Sequence, residues 1–553
     1  MEKGVEAGVD VNSRDKNLKE KLQEELQEEL QERQQTAGIY QALSVYCAGE
    51  DYPCHMPGHK RNPDSGEMAD FYRIDITEID GFDNLHHAEG MIKEAQERAN
   101  RLYGAQETYF LVNGSTCGVL AAIMSVTQPG DEILIARNCH KAVYHAMILQ
   151  GLRPRYYYPE IIQEYGIHDG VDAEKIGNLL DKYPACNAVV LTSPTYEGII
   201  SDIRAAARAA HERGKALIVD EAHGAHLDLW GRERQDDRTW EAGSASLGKG
   251  RQGAVAAGAD LVIHSLHKTL PAMTQTALLH VNGSLVNRDR LRRYLTMLQS
   301  SSPSYVLMAS MDSCIRFLEE QGEKRFAFFE AQYDTFCKKT ALCRHLRIGR
   351  MSDVTGKGYR LTAWDIGKIV ISVKDTSMRG PQLYDILRQE YHLQMEMAAD
   401  TFVLAMMTVM DTEEGWQRLA DAICAIDDRI EKGTGGEMIS GSNSIPCMGR
   451  SDLDSAECEA EMKNPSASYP EAQMTPSQAF HSAQEEIPIE DAAGRLAADF
   501  INLYPPGIPL IVPGEVIDGA MIRKLNKSLK LGLTVLGVSE SGQIRVVREE
   551  GCR

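Results

Sequence analysis

Between residues 104 and 282 the chain alternates short apolar runs with helix-like stretches, and this alternation restricts the fold more than any other feature. The predicted strands are ETYFLV (107–112), DEILIA (131–136), AVVLTSP (188–194), KALIVDEAH (215–223) and ADLVIHS (259–265). Helices are predicted between them, at 116–127, CHKAVYHAMILQG and IRAAARAAHERG (203–214). Such alternation implies an α/β fold with a mostly parallel sheet and helices on both faces. Ligands of these sheets bind beyond the carboxyl ends of the strands.

The remainder of the chain differs from this region in composition, and its 553 residues are enough for two or three domains. Leucines 18, 22, 26 and 30 repeat every four residues among charged residues, which predicts a helix. Residues 433–472 are rich in Gly, Ser, Asn and Pro, which predicts a disordered linker. The predicted divisions are an N-terminal helical extension (1–36), a major domain (37–300), a smaller α+β domain (301–432), the linker, and a C-terminal domain (473–553).

Composition excludes several classes of protein. A formal net charge of −21 argues against a nucleic-acid partner. No apolar run approaches the roughly 18 residues of a membrane span, and the N-terminus has no apolar signal-peptide core. The 12 cysteines form no C-x-x-C pair, so neither a metal site nor a redox dithiol is predicted. We therefore expect a cytoplasmic protein with reduced thiols.

Polar side chains follow several of the predicted strands. Ser115 and Thr116, in LVNGSTCG, stand where a strand gives way to a helix, and they could bind a phosphate or only cap the helix. Asp220 ends the strand IVD and could form a structural ion pair or hold a protonated ring nitrogen. His140 lies just beyond another strand, where a capping histidine is the simplest interpretation.

A lysine in the segment VIHSLHKTLPAMTQTALLHV (262–281) completes this set. Lys268 follows a strand and is preceded by Ser265 and His267. An unpaired ammonium is costly to bury, so a lysine between two apolar runs needs a reason. A phosphate-type loop, an imidazole, a carboxylate and a lysine are thus expected at one edge of the sheet. Pyridoxal phosphate uses all four, because its aldehyde bonds to a lysine amine and its pyridinium nitrogen prefers an aspartate.

The motifs together resemble the ornithine/lysine/arginine decarboxylase family, in the form without an N-terminal wing domain. The matching segments cover nearly the whole chain after about residue 37. They are CHMPGHKR (54–61), DITEIDGFDNLHHAEGMIKEAQERA (75–99), FLVNGSTCGVLAAI (110–123), RNCHKAV, SPTYEG (193–198), VDEAHGAH, SLHKTLPAMTQTALLH, SSSPSYVLMASMD (300–312) and YPPGIPLIVPGE (504–515). Residues 230–257 are longer and more polar than the family pattern, which bears on access to the site.

The resemblance implies an aminotransferase-like fold type I enzyme that binds pyridoxal 5'-phosphate. Lys268 would form the Schiff base, Asp220 would pair with the pyridine nitrogen, and His140 would stack on the ring. The other residues expected at the cofactor are Ser115, Thr116, Ser265 and His267 at its phosphate and His223 on the far side of the ring.

Further residues are assigned less directly. Glu515 could contact the cationic end of the substrate, or it could cap a helix beginning near Val516. His55 and His59 could be catalytic or could serve capping or interface packing. Ser301 or Ser302 would reach the cofactor of a partner subunit, since the resemblance implies a homodimer, or a larger homo-oligomer, with active sites at its interface.

The predicted reaction is the α-decarboxylation of a basic amino acid to its amine and carbon dioxide, in polyamine-related metabolism. Arginine is the first choice of substrate, with lysine and ornithine next. Another fold type I enzyme, such as an aminotransferase or a β-eliminating lyase, is the alternative, although no motif for an arginine clamp on the substrate carboxylate is evident. The presence of Lys268, Asp220 and His140 together argues against a non-enzymatic regulator.

Overall fold

The computed structural model describes residues 38–49, 51–64, 66–230, 232–234, 240–242, 253–432, 470–503 and 507–549. The predicted N-terminal extension and the predicted linker up to residue 469 lie outside these residues, as does most of the polar stretch 230–257. Within the described ranges, no helix is long and apolar enough to cross a membrane.

A seven-stranded sheet forms the centre of the large domain. The strands of this part of the chain are β1 (Glu107–Leu111), β2 (Glu132–Ala136), β3 (Arg153–Tyr157), β4 (Ile161–Ile162), β5 (Ile167–His168), β6 (Cys186–Thr192), β7 (Ile199–Ile200), β8 (Ala216–Asp220), β9 (Arg232–Arg234), β10 (Trp240–Ala242), β11 (Leu261–Ser265) and β12 (Ala277–Val281). The order in the central sheet is β1–β12–β11–β8–β6–β2–β3. The five strands from β11 to β3 run parallel, and β12 is antiparallel to both of its neighbours. The predicted mostly parallel sheet is therefore confirmed.

Helices cover this sheet, and its strands are buried because both faces are packed. The helices of this part of the chain are α1 (Ile39–Cys47), α2 (Ala69–Tyr72), α3 (Met91–Tyr103), α4 (Gly114–Val126), α5 (Lys141–Gln150), α6 (Ala173–Lys182), α7 (Ile203–His211), α8 (Ala254–Ala257), α9 (Leu266–Thr269) and α10 (Arg288–Leu298), with a 3-10 turn at Leu227–Leu229. Every residue of β8, β11 and β12 is buried. The one polar residue of β8, Asp220, stands at the carboxyl end of that strand.

The smaller domain follows a long helix, α11 (Tyr305–Thr340), that the sequence pattern does not delimit. Its further elements are β13 (Arg347–Ile348), α12 (Met351–Val354), β14 (Ala363–Trp364), β15 (Lys368–Ser372), α13 (Gly380–Glu390), β16 (Met397–Ala398), β17 (Phe402–Met406) and α14 (Glu413–Glu431). Four strands form an antiparallel sheet in the order β13–β15–β17–β16. The short strand β14 instead pairs with β7 of the large domain, which ties the two domains together.

The C-terminal part consists of short elements around a small apolar core. They are α15 (Pro476–His481), β18 (Gln484–Pro488), a 3-10 turn at Ile489–Asp491, β19 (Ile501–Leu503), β20 (Pro509–Ile511), α16 (Gly519–Lys530), β21 (Val535–Leu536) and β22 (Gln543–Val547). Strand β18 pairs with β22, and β19 lies between β20 and β21.

Candidate active site

A cavity of about 580 Å³ opens at the carboxyl ends of β2, β6, β8 and β11. This is the edge at which the sequence places its polar side chains. Seven of the predicted cofactor residues line it: Ser115, Thr116, His140, Asp220, His223, His267 and Lys268. The convergence arises because parallel strands end at one edge and each is followed by a turn that carries the next side chain.

Lys268 projects into this cavity from the one-turn helix α9, which directly follows β11. Its Nζ lies 3.1 Å from Nε2 of His223. Burial lowers the pKa of the Lys268 amine, and the nearby carboxylates of Asp220 and Glu396 oppose that change. A lowered pKa favours the neutral amine, which is the nucleophilic form of a lysine.

Asp220 is the last residue of β8 and is buried beside the lysine. Its Oδ1 accepts a hydrogen bond of 3.2 Å from the backbone N–H of Ala222. Burial raises the pKa of this carboxyl, while Lys268 acts in the opposite direction. A protonated ring nitrogen would give the buried carboxylate the close positive partner that it needs.

His140 both caps a helix and lines the cavity, so the two interpretations of this residue are compatible. It is the N-cap of α5, and its Nδ1 accepts a hydrogen bond of 3.2 Å from the N–H of Ala142. Burial lowers the pKa of His140 to about 4, with Lys268 contributing. The imidazole is therefore neutral near pH 7, as a ring that stacks on a cofactor should be.

The phosphate end of the cavity fits the predicted anion site. Helix α4 begins at Gly114 after the N-cap Asn113, so Ser115 and Thr116 lie inside the first turn and are not the cap. The Oγ of Ser265 is buried and has no hydrogen-bond partner among the described residues. A buried hydroxyl without a partner is unfavourable unless a ligand supplies one. His267 fixes its ring by a 3.0 Å hydrogen bond to the carbonyl of Thr276.

The smaller domain contributes a second lysine that sequence reasoning missed. Lys368, the first residue of β15, is 2% exposed, and its Nζ lies 2.7 Å from Nδ1 of His223. Burial lowers the pKa of Lys368 to about 8, with the charge of Lys268 adding to the effect. A lysine at the start of the apolar run GKIVISV was the available signal, because a buried ammonium needs a partner.

Carboxylates also line the cavity at positions that the sequence did not single out. Glu396 accepts a hydrogen bond from the hydroxyl of Tyr196, and both residues line the cavity. Glu197 is buried next to them, its Oε2 has no hydrogen-bond partner among the described residues, and burial raises the pKa of its carboxyl. Tyr196 and Glu197 lie in the motif SPTYEG just after β6, which was the available signal, whereas Glu396 stands in no such motif and only the tertiary structure brings it to the site.

Glu515 does not line the cavity, which corrects the prediction that it contacts the substrate. Its carboxylate forms a buried two-point ion pair with Arg137, with distances of 3.2 Å from Nε to Oε1 and 3.0 Å from Nη2 to Oε2. Its Oε2 also accepts a 2.8 Å hydrogen bond from the N–H of Val512. The helix-capping interpretation is wrong as well, because α16 begins at Gly519 with Asp518 as its N-cap.

Five other predicted residues lie outside the cavity lining, and one of them is Ser265, whose hydroxyl is buried. Nε2 of His55 lies 3.0 Å from the hydroxyl of Tyr46, and Nε2 of His59 lies 3.3 Å from Oδ2 of Asp75. Ser301 and Ser302 are exposed in this single chain, and their assignment to a partner's cofactor stays a prediction.

The two remaining histidines of the Val262–Val281 segment form a buried network beneath the site. Nε2 of His264 lies 2.8 Å from Oε2 of Glu221, and its Nδ1 lies 3.1 Å from Nε2 of His280. Nδ1 of His280 in turn lies 2.7 Å from the hydroxyl of Thr108. These contacts hold β11 against its neighbours directly below Lys268.

A strand-end lysine, a buried aspartate, a neutral histidine and a hydroxyl-lined helix start at one sheet edge define a fold type I pyridoxal phosphate enzyme. The profile of the Orn/Lys/Arg decarboxylase major domain matches residues 37–356, and that of the C-terminal domain of the same enzymes matches residues 459–533. The chain therefore belongs to the Orn/Lys/Arg decarboxylase family. It is a decarboxylase of a basic amino acid, and its cofactor is pyridoxal phosphate.

Individual relatives agree with this family. An arginine decarboxylase of Bacillus subtilis (strain 168) is 29% identical over 533 residues, which are 94% of this chain and 99% of that protein. The uncharacterized protein YaaO of the same strain is 35% identical over 529 residues, 93% of this chain and 99% of that one. The crystal structure of the Francisella novicida lysine decarboxylase LdcF has the same fold, with a TM-score of 0.75 at 20% identity over 92% of this chain and 81% of that chain.

Proposed function

We propose that this protein decarboxylates arginine in preference to lysine or ornithine, and that Lys268 holds pyridoxal phosphate as a Schiff base. The observation that carries the mechanism is the grouping of Lys268, Asp220 and His140 around one cavity. The preference for arginine is supported by the full-length similarity to the B. subtilis arginine decarboxylase. The product amine would then be a precursor of polyamines.

Each end of the cofactor has residues suited to it. When bound, pyridoxal phosphate supplies the electron sink that stabilises the carbanion left by the departing carboxylate. Asp220 would keep the ring nitrogen protonated, and neutral His140 would lie against the ring. The first turn of α4, with Ser115 and Thr116, and the buried hydroxyl of Ser265 would hold the phosphate. His267 would support the same end, because its ring is already fixed by Thr276.

The cationic end of the substrate needs an acidic partner in the cavity, and Glu515 cannot be that partner. Glu396 and Glu197 line the cavity and are suited to it. The carboxylate of Glu396 is oriented by the hydroxyl of Tyr196. A guanidinium is held best by a bidentate carboxylate, so these two acids could favour arginine over a shorter ammonium. We propose Glu396 as the first residue to test for this role.

We further propose that the enzyme works as a homodimer. The exposed side chains of Tyr52, Met56 and Phe71 support this, since large apolar side chains that are exposed on one chain favour burial in an interface. Ser301 or Ser302 would then face the cofactor of the partner subunit.

The test is to supply arginine, lysine and ornithine separately with pyridoxal phosphate and to quantify the amine and carbon dioxide released from each. Arginine should give the highest kcat/KM. The Glu396→Gln variant should raise the KM for arginine more than it lowers kcat. The matched control is Glu486→Gln, which removes an exposed ion pair with Arg545 and should leave both constants unchanged. Equal turnover of neutral norleucine would refute the assignment to basic amino acids.

A further inference from the structure

Two lysine amines flank the imidazole of His223, which lines the cavity. Nε2 of His223 faces Nζ of Lys268 at 3.1 Å, and Nδ1 faces Nζ of Lys368 at 2.7 Å. Both His223 and Lys368 are buried, and His223 also meets the ring of Tyr196 edge-on with centroids 4.7 Å apart. The three side chains therefore form a continuous hydrogen-bonded relay that leads from Lys268 through His223 to Lys368 of the smaller domain.

Hydrogen-bond chemistry limits the number of protons that this relay of three side chains can hold. A neutral imidazole has one nitrogen with a lone pair and one nitrogen with an N–H. When the first nitrogen accepts a hydrogen bond from one lysine, the second presents its N–H to the other lysine. An ammonium has no lone pair, so the lysine that receives this hydrogen bond must be an unprotonated amine. Burial keeps His223 neutral by lowering its pKa well below the ordinary value, with the two lysines contributing. The geometry is thus satisfied when the two lysines together carry one positive charge.

The fold holds Lys368 in this position by close packing. Gly198 has a φ of +96°, and a Cβ at this position would lie 2.6 Å from Cβ of Lys368. The backbone N–H of Asp365 donates to the carbonyl of Gly198 at 2.8 Å, next to the β7–β14 pairing. The Nζ of Lys368 also lies 3.3 Å from Sδ of Met406. The lysine stem therefore has little freedom to leave His223.

Other charged and titratable groups surround both lysines and decide where the shared proton lies. Around Lys268 these are Asp220, Glu396, His140 and His267, and around Lys368 they are Asp365, Glu197, Glu396 and Tyr196. Asp365 also contacts His226, at 3.2 Å between Oδ1 and Nε2.

We propose that Lys368 is a positioning residue that acts through His223 and takes the proton that Lys268 must lose before its amine can bond to pyridoxal phosphate. In this step the Lys268 ammonium gives a proton to Nε2 of His223, and the Nδ1 proton of His223 passes to the neutral Lys368 amine. Lys268 becomes a neutral amine, Lys368 becomes an ammonium, and His223 stays neutral in its other tautomer. When substrate displaces Lys268 from the cofactor, the same relay can return the proton from Lys368 to Lys268.

This inference rests on the proposed role of Lys268, and its test begins with the protein free of cofactor. Limiting acetic anhydride is added from about pH 6 to about pH 10, and acetylation of the peptide that contains Lys268 is measured by mass spectrometry. In the wild-type chain the reactivity of Lys268 should rise to a midpoint below the ordinary value for a lysine, because burial lowers the pKa of its amine. In Lys368→Met and in His223→Phe that midpoint should move upward by about one unit, which is roughly a tenfold loss of free amine at neutral pH.

The same variants are then mixed with pyridoxal phosphate, and the rate of covalent attachment is followed by its visible absorbance and by borohydride trapping. Both should attach the cofactor more slowly below the midpoint, whereas Lys357→Met, which removes an exposed lysine paired with Glu164, should match the wild type. Thermal unfolding confirms that each variant is folded.

Three outcomes are distinguishable. An unchanged midpoint in a folded Lys368→Met protein would overturn the relay. A shift in Lys368→Met but none in His223→Phe would also overturn it, because the effect would then be a direct charge interaction. A shifted labelling midpoint together with no amine produced from any basic amino acid would leave the relay standing and refute the proposed function.

Discussion

Replacing Glu515 by glutamine should destabilise the junction of the C-terminal part and the large domain without affecting substrate affinity. Arg137 is fully buried, and the substitution leaves its guanidinium without a counter-charge. Removing one partner of a buried ion pair costs about 3–5 kcal/mol. Arg137 keeps neutral acceptors in the carbonyls of Pro509 and Leu510, at 2.7 and 3.2 Å. The loss should therefore fall near the lower end, at about 3 kcal/mol.

The assay is native-state hydrogen exchange of peptides that cover β20 and residues 512–517. A loss of about 3 kcal/mol in local stability corresponds to exchange that is roughly a hundredfold faster. The control is Glu486→Gln, whose exposed ion pair with Arg545 should contribute less than about 1 kcal/mol. A double variant with Arg137→Met and Glu515→Met should recover part of the loss, because no buried charge is then left unpaired. A raised KM for the substrate with unchanged exchange would refute this interpretation of Glu515.

The remaining predictions concern the site itself. Lys268→Ala should abolish covalent attachment of pyridoxal phosphate, and a visible imine absorbance that borohydride converts into permanently attached cofactor in this variant would contradict the assignment. Asp220→Asn should still bind the cofactor but slow turnover by on the order of a hundredfold or more, since an amide does not stabilise the protonated ring nitrogen; near-normal kcat would make Asp220 structural. His140→Ala should weaken cofactor affinity by several-fold, as expected for a lost stacking contact of about 1 kcal/mol, and unchanged affinity in a fluorescence titration would remove it from the site. Gly198→Ala should cost about 1–3 kcal/mol of stability through its left-handed backbone and should displace Lys368, so unchanged thermal unfolding and unchanged Lys268 labelling would contradict the packing argument.

The strand and helix order of the large domain and the strand-end residues of the site can be predicted from local sequence patterns. Strands buried on both faces must be continuously apolar, so a polar residue at the end of such a run stands out. Asp220 directly follows the apolar residues LIV, and Lys268 ends the segment VIHSLHK, so both residues stand out in the sequence. Both lie at the same edge because the strands that precede them run parallel. The antiparallel insertion of β12 between β1 and β11 was not visible, because strand order depends on long-range pairing.

The α/β class, the sheet edge that carries the chemistry, and the lysine, aspartate and histidine at that edge could all be predicted from local residue patterns. The tertiary structure alone decided the rest of the site. Glu396 lines the cavity and Lys368 contacts His223 because β14 pairs with β7, which brings the smaller domain against the strand ends from more than a hundred residues away. The tertiary structure also shows that Glu515 pairs with Arg137. The sequence alone cannot distinguish a carboxylate after a Pro-Gly turn that contacts a ligand from one that contacts a buried arginine. Such contacts join distant segments, so a local signal such as a lysine in an apolar run shows that a partner is needed but not which residue supplies it.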